Sequence, residues 1–292
     1  MTAAIYFRSL NDGVILAFQE AMKSLIENQC DVLIYDTCMS QLKSYGIHNH
    51  KMQSFSSAEE FREAADFMIS IGGDGTILDT LTIVHDSSVP VLGINSGRLG
   101  FLTGCAAENT RAAMECLLKG TFSLDKRTVL KLDTDKNLFG AMNYALNEMT
   151  IHKKDSSSMI KIHTYLNGEY LTTYWSDGLI ICTPTGSTGY SLSCGGPIVA
   201  PQSSNFVITP IAPHNLNIRP MVVSDKNVIT LEVEGRSQFF LTTLDSRSVT
   251  VDSSIQFAVR LADFTFNIIR LYDDNFLKTL RNKLNWGLDT RN

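Results

Sequence analysis

The sequence predicts an α/β plus all-β chain: an N-terminal α/β domain on a parallel sheet, then an antiparallel β domain. Three observations carry this expectation. Through residue 125, short continuous apolar segments alternate with amphipathic ones, the pattern of strands covered on both faces by crossover helices. From 126 to 270 the period becomes two, with many β-branched and aromatic residues. The tail, 271–292, returns to helical spacing, and we expect it to pack back on the first domain. A length of 292 residues suits two cores better than one.

The elements follow in order. "AAIYF" reads as a strand, and "NDGVILAFQEAMKSLIENQ" sets Val14, Phe18, Ala21, Met22, Leu25 and Ile26 at helical spacing behind an Asn11/Asp12 cap. "DVLIY" is a second strand. Ser57 followed by Glu60 is a capping-box pattern that opens a helix over 58–65. "DFMISI" and "VPVLGI" are buried strands, and "NTRAAMECLLKG" is a helix closed by Gly120. This alternation makes the first domain Rossmann-like. Beyond it, "IKIHTYLNGEYLTTYW" is a hairpin turning at Asn167-Gly168, the favoured two-residue turn. "NVITLEVE", "QFFLTTL" and "IQFAVRLADFTFNIIRL" alternate at period two. The tail "DDNFLKTLRNKLNWG" places Phe276, Leu277, Leu280 and Leu284 on one stripe.

Composition narrows the function. With 44% hydrophobic and 19% charged residues, the chain is globular. No apolar run approaches the ~20 residues needed to cross a bilayer, and "MTAAIYFRSL" lacks a leader pattern, so we expect a cytoplasmic protein without a membrane partner. A net charge of −5 argues against a nucleic-acid partner. The six cysteines (30, 38, 105, 116, 182 and 194) form no C-x-x-C pair and read as reduced, buried thiols.

The chemistry concentrates in four stretches. "ISIGGDGTIL" (69–78) places Gly72, Gly73, Asp74, Gly75 and Thr76 between a buried strand and a helix. Glycines admit unusual backbone angles and close ligand approach, and amides at a helix start receive phosphate oxygens. An acid inside an anion-binding loop suits proton acceptance or metal binding; the bland alternative is Asp74 as the helix N-cap. The chain holds no G-x-x-x-x-G-K-[ST] and no G-x-G-x-x-G. "GINSGRLGFLTG" (93–104) is a second glycine-rich turn. Phe101 there is a stacking surface or a core residue, and Arg98, the only Lys or Arg between 70 and 104, is a phosphate contact or a solvated cation. "SDGLIICTPTGSTGYSLSCGGPIVAP" (176–201) carries Asp177, Thr185, Thr188, Gly189, Tyr190 and Ser193 with no Lys or Arg from 176 to 200. Amides and hydroxyls suit a base, ribose or carboxamide better than a triphosphate. In "ALNEMTIHK", Asn147 and Glu148 are adjacent; neighbours on a strand face opposite ways, so they form a simple buried pair only if the strand bulges or ends, and they read as a ribose clamp or a strand-end cap. His48 and His50 read as a solvated loop, and His214 lies in the proline-flanked "APHNLNIRP".

Together "GGDGT", "GINSGRLGFLT", "ALNE" and "SDGLIICTPTGSTGYSLSCGGPIV" resemble the NAD kinase family, in order and across the chain. The resemblance implies transfer of the γ-phosphate of ATP to the 2′-hydroxyl of the adenosine ribose of NAD, giving NADP. It implies Mg²⁺ or another divalent cation, and a homodimer or homotetramer in which "APHNLNIRP" of a neighbour completes the site. It makes Asp74 the proton acceptor, gives Asn147 and Glu148 to a ribose, and lines the NAD site with Phe101, Asp177, Thr185, Thr188, Gly189, Tyr190 and Ser193. Two positions depart from the family: Gly189 stands where Ala is frequent, and "LDSR" ends in Arg247 where the family often has Gln, which weakens any carry-over to Asp245. A lipid kinase shares the glycine loop, and a dinucleotide sensor shares the pocket; the hydroxyl-rich cluster disfavours the first, and Asp74 with Asn147-Glu148 the second.

Overall fold

The structure, a computed structural model, describes residues 1–97, 100–154, 158–271 and 275–287. The chain forms two compact units, Met1–Lys126 with Phe266–Asn292, and Arg127–Thr265.

In the first unit, β1 (Thr2–Tyr6), β2 (Asp31–Tyr35), β3 (Met52–Phe55), β4 (Phe67–Ile71) and β5 (Val91–Asn95) form a parallel sheet in the order β5-β4-β1-β2-β3. The chain builds outward from β1 on one side, then returns to the other side with β4. That reversal is a topological switch point, where α/β sheets bind ligands at the carboxyl ends of their strands. The connections are α1 (Asp12–Glu27), α2 (Asp36–Ser44), α3 (Ala58–Ala64) and α4 (Asp74–Val84). A two-residue strand, β6 (Cys105–Ala106), pairs with β5 before α5 (Thr110–Leu118). Val14, Phe18, Ala21 and Leu25 of α1 meet Ile5, Ile34, Ile69 and Leu92 of the strands in one core.

Local chemistry sets the helix limits. The Asn11 side chain accepts from Val14 N at 3.0 Å. Ser57 Oγ accepts from Glu60 N at 3.2 Å, and the Glu60 carboxylate returns to Ser56 N at 2.8 Å. Gly120, at φ +67°, closes α5: its N–H meets Leu117 O, and Thr121 N meets Cys116 O.

In the second unit two antiparallel sheets share one apolar core. Its elements are β7 (Ser123–Thr134), β8 (Tyr144–Ala145), β9 (Glu148–Lys153), β10 (Ile160–Leu166), β11 (Glu169–Ser176) and β12 (Gly178–Cys182). The short α6 (Tyr190–Ser193) precedes β13 (Asn205–Ile211), β14 (Met221–Ser224), β15 (Ile229–Glu234), β16 (Phe239–Leu244), β17 (Arg247–Asp252) and β18 (Phe257–Arg270). One sheet runs β14-β13-β12-β9-β16-β17; the other runs β11-β10-β15-β18, with β7 and β8 beside it. Asn167 and Gly168 both take positive φ, +52° and +85°, which turns β10 directly into β11.

After β18, whose Ile269 belongs to the first unit's core, comes α7 (Phe276–Leu284). Here the structure corrects the expected stripe. Thr279 and Leu280 are buried, while Leu277 and Leu284 are 60% and 37% exposed. The inward face follows the i, i+3, i+4 positions from Phe276, and Leu277 lies one residue, about 100°, off that face. Among the described residues no helix is long and apolar enough to cross a membrane.

Candidate functional site

The opening glycine stretch leaves the end of β4 and enters α4 within two residues. A Cβ on Gly72 would fall 2.2 Å from Thr76 Oγ1, so only glycine fits that turn. Gly73 is the N-cap of α4 and Asp74 its first residue; Asp74 is therefore not the cap. Its carboxylate crosses to the second glycine-rich turn instead. Oδ2 accepts from Phe101 N at 2.7 Å, and Oδ1 accepts from Leu102 N at 3.0 Å and Thr103 N at 3.3 Å. This grip requires a bare backbone at Gly100, where a Cβ would sit 1.7 Å from Asp74 Oδ1. One acid thus binds both glycine turns into a single structure. Three hydrogen bonds use three of a carboxylate's roughly four lone-pair directions, leaving one for a ligand.

The second turn is also closed on itself: Gly97 N donates to Asn95 Oδ1 at 2.7 Å, and Gly100 N donates to Thr103 Oγ1 at 2.9 Å. The Phe101 ring packs 6.2 Å from Phe276 and carries Lys283 Nζ at 5.2 Å from its centroid. Arg98 lies outside the described residues. A cation that motif reading passed over stands nearby: Arg8 pairs with Asp79 at 2.7 Å and donates to Gly75 O at 3.1 Å. Its signal was its place, just past the carboxyl end of β1, on the strand flanking the switch point.

In the second unit, Asn147 falls in the break between β8 and β9, and Glu148 is the first residue of β9. The break resolves the problem of two adjacent polar residues: Asn147 is not bound to strand alternation. Asp245, in the turn between β16 and β17, holds the break open. Its carboxylate accepts from Leu146 N at 2.9 Å, Asn147 N at 2.8 Å and Glu148 N at 3.2 Å. The "TPTGSTGYS" segment then folds over it as short helical turns. Thr183 N donates to Asn147 O, and a Cβ on Gly186 would fall 2.2 Å from that oxygen. Ser187 Oγ ties Pro184 O to Val199 N. Thr185 is buried and accepts from Arg127, itself 2% exposed, at 3.2 Å. Thr188 Oγ1 donates to Thr185 O.

These turns bring Asn147, Glu148 and Gly189 to one point. A Cβ on Gly189 would lie 3.4 Å from Glu148 Oε2, 3.6 Å from Asn147 Nδ2 and 3.3 Å from Gly186 O. A methyl group fits with shifts of a few tenths of an ångström. Gly189→Ala is therefore expected to keep its melting temperature within about 3 °C of the parent, the scale of ~1 kcal/mol or less; a larger loss by thermal melt would show that this contact cannot yield. Tyr190, 41% exposed, and Ser193, exposed, present α6 to solvent. Asp177 stands before β12, paired with Lys153 Nζ at 2.6 Å. Burial, then the charges of Cys194, Asp177 and Glu148, raise the Tyr190 hydroxyl pKa.

The electrostatics of the break are unusual. Burial, then the Asp245 charge, pushes the Glu148 carboxyl up to about 8. Glu148 Oε2 is buried without a hydrogen-bond partner. Burial also raises Asp245 to about 6, opposed by its three amide bonds and by Arg247. The remaining histidine motifs lie elsewhere: His48 and His50 line a surface cavity with Met39 and Lys43, and the His214 ring stacks on Trp175 at 4.5 Å. Among the described residues no three His, Cys, Asp or Glu side chains cluster as a metal site.

Comparison with known proteins identifies the family of the chain. Residues 9–122 match the ATP-NAD kinase N-terminal domain and 146–271 the ATP-NAD kinase C-terminal domain. An NAD kinase of Cytophaga hutchinsonii is 54% identical over 227 residues, 78% of each chain. One from Christiangramia forsetii is 41% identical over 294 residues, the full length of both. Among solved structures, yeast NADH kinase complexed with NADH shares the fold at a TM-score of 0.88 and 20% identity, covering 99% of this chain and 88% of its own. An NAD kinase from Archaeoglobus fulgidus in complex with ATP aligns at a TM-score of 0.74 and 25% identity, covering 98% of this chain and 99% of its own. The two glycine turns gathered by one acid and the polar break under "TPTGSTGYS" are thus features of a chain that belongs to the NAD kinase family.

Proposed function

We propose that this protein is an ATP-dependent NAD kinase, transferring the γ-phosphate of ATP to the 2′-hydroxyl of the adenosine ribose of NAD to give NADP. The observation that carries this reading is the buried, unpartnered Glu148 Oε2, which with Asn147 Nδ2 borders the point a Gly189 Cβ would occupy, at 3.4 and 3.6 Å. An acid oxygen and an amide N–H₂ that face one point suit the hydroxyls of a ribose. Tyr190 offers a face for stacking, and Thr185, Thr188, Gly189, Ser193 and Asp177 supply hydroxyl, amide and carboxylate contacts for the dinucleotide. Gly72, Gly73, Gly75 and Thr76, at the start of α4, supply amides for phosphate oxygens, joined by Arg98 and Phe101 of the neighbouring turn. Asp74 takes the proton of the accepting hydroxyl through its one open lone-pair direction. Phosphoryl transfer asks the protein for positioning and charge stabilisation more than for covalent chemistry.

When bound, Mg²⁺ or a similar cation would supply charge neutralisation for the phosphoryl group. Such ions keep several waters and bind largely through substrate phosphates, so ATP carries it in. A homodimer or homotetramer is the assembly we assign, with the 212–220 loop, where Leu216 is 89% exposed, reaching a neighbouring subunit; light scattering on the purified protein reads this directly. The compartment we assign is the cytoplasm, in keeping with six unpaired thiols.

The test is direct: purified protein, ATP, Mg²⁺ and NAD, with NADP followed by a coupled dehydrogenase, and parallel arms with NADH as acceptor and polyphosphate as donor. NAD binding without NADP formation would leave a dinucleotide sensor. Tyr190→Ala is expected to raise the NAD KM roughly tenfold, the scale of one base–aromatic stack at ~1–3 kcal/mol, with the ATP KM within about twofold. Equal changes in both would remove Tyr190 from the dinucleotide pocket.

A further inference from the structure

We propose that the Asp245-Ser246-Arg247 turn is a positioning element for the dinucleotide, fixing the break between β8 and β9 so that Asn147 and Glu148 present their side chains to the ribose. This rests on the NAD kinase reading above and adds to it the device that holds the site in shape.

The geometry is concentrated. Asp245 accepts from the three successive amides of Leu146, Asn147 and Glu148, and its own N–H donates to Glu148 O at 3.0 Å. Arg247 donates through Nη1 to Met142 O and through Nη2 to Tyr144 O. Two side chains of one tight turn thereby hold backbone groups at five of the seven positions from 142 to 148. Asp245 adopts φ +51° to do so, a left-handed turn conformation that Asp enters more readily than most side-chain-bearing residues. Arg247 forks to two carbonyls at once, a contact its planar guanidinium suits. Its charge faces the buried Asp245 carboxylate.

That charge gives the proposal a signature. Glu148 from β9 and Arg247 from the start of β17 are charged groups facing Asp245; Cys182 from β12 and Tyr190 from α6 face Glu148. Asp245 holds the three amides most strongly when ionised, because protonation makes one oxygen a donor and weakens what it accepts. Burial already raises it to about 6. As pH falls through that value the hold loosens and NAD binding weakens. Removing the Arg247 cation lets Asp245 protonate at higher pH, so the weakening begins closer to neutrality.

The experiment measures NAD and ATP dissociation constants separately by calorimetry from about pH 5 to 9. It compares the parent with Arg247→Met, Arg247→Lys and Asp245→Asn, with thermal melts as folding controls. At neutral pH Arg247→Met is expected to weaken NAD binding about tenfold, the scale of lost charged hydrogen bonds, and to move the acid midpoint up by roughly one pH unit. Arg247→Lys restores the midpoint and only part of the affinity. Asp245→Asn, if it folds, binds NAD weakly with no acid midpoint. ATP binding stays within about twofold throughout. An unmoved midpoint in Arg247→Met, or ATP affinity falling in parallel with NAD, overturns the proposal. A parent that binds NAD without turnover sinks only the kinase reading, and one that does not bind NAD sinks both.

Discussion

Asp74→Asn is expected to lower kcat by about two decades or more, the usual scale for a lost general base, while NAD affinity stays near that of the parent. The structure adds a second consequence. Asn keeps one acceptor oxygen and gains an N–H₂ group. With the oxygen left toward Leu102 N and Thr103 N, the new donor faces the Phe101 N–H across 2.7 Å. Leaving that amide unsatisfied costs ~1–3 kcal/mol, so the melting temperature should fall by a few degrees as well. A drop in rate is therefore ambiguous by itself: the acid could matter as a base or as the anchor of the second glycine turn. Gly100→Ala separates the two. Its methyl group would lie 1.7 Å from Asp74 Oδ1, so it dislodges the anchor while keeping the carboxylate. If Asp74 is the base, Gly100→Ala loses stability as much as Asp74→Asn but retains more turnover, and a higher pH, which favours an ionised nucleophile, restores neither rate fully. Turnover of Asp74→Asn within about threefold of the parent, by the coupled dehydrogenase assay, would end any base or metal duty for this acid.

What the sequence made legible was local. Asn11, the Ser57/Glu60 pair, Gly120 and Asn167-Gly168 each act within a few residues of themselves, and spacing along the chain reports such chemistry. The pairing rule for strands also set the condition under which Asn147 and Glu148 could serve one site, an end or a bulge, because adjacent residues on a regular strand cannot share a face. Contacts distant in sequence were not legible. Nothing near Asp74 announces that its partners are the amides of residues 101–103, nor does anything near Asp245 point to residues 146–148, almost a hundred positions away. Gly100 illustrates the same limit: its lack of a side chain answers to the Asp74 carboxylate. On α7, periodicity overstated the apolar face, since helical spacing admits Leu277 whatever the width of the surface that receives the helix. Both glycine turns and the polar break rest on one device, an aspartate collecting three successive amides, and a motif alphabet has no letter for it.

Replacing Glu148 by Gln is expected to strengthen the fold at neutral and alkaline pH while weakening the use of NAD. The sign follows from linkage. An ordinary glutamate releases its proton near 4.5, whereas here burial and Asp245 raise the carboxyl to about 8. Between those values the folded chain holds a proton that the unfolded chain has lost. Stability therefore falls as pH rises through the window, by at most ~1.4 kcal/mol per unit for one proton. The contribution is fully present below about 4.5 and is gone once pH passes about 8. Asp245, raised to about 6 from 3.8, gives a similar slope only at lower pH, so the range from 6 to 8 isolates Glu148. Gln has nearly the same shape and no proton to lose. Across that range Glu148→Gln should pull ahead of the parent by ~1–2 kcal/mol, a rise in melting temperature of about 3–8 °C, and comparing the two proteins cancels the titration of histidines. Parallel curves between pH 6 and 8 would mean that Glu148 is ionised in the folded protein. The functional half is read from NAD affinity and kcat/KM, both expected to fall roughly tenfold on loss of a charged or acidic hydrogen bond to a ribose. A residue whose removal stabilises the fold but weakens the ligand is held in place by the ligand's chemistry. A gain in stability with unchanged NAD affinity would take Glu148 out of the ribose site altogether.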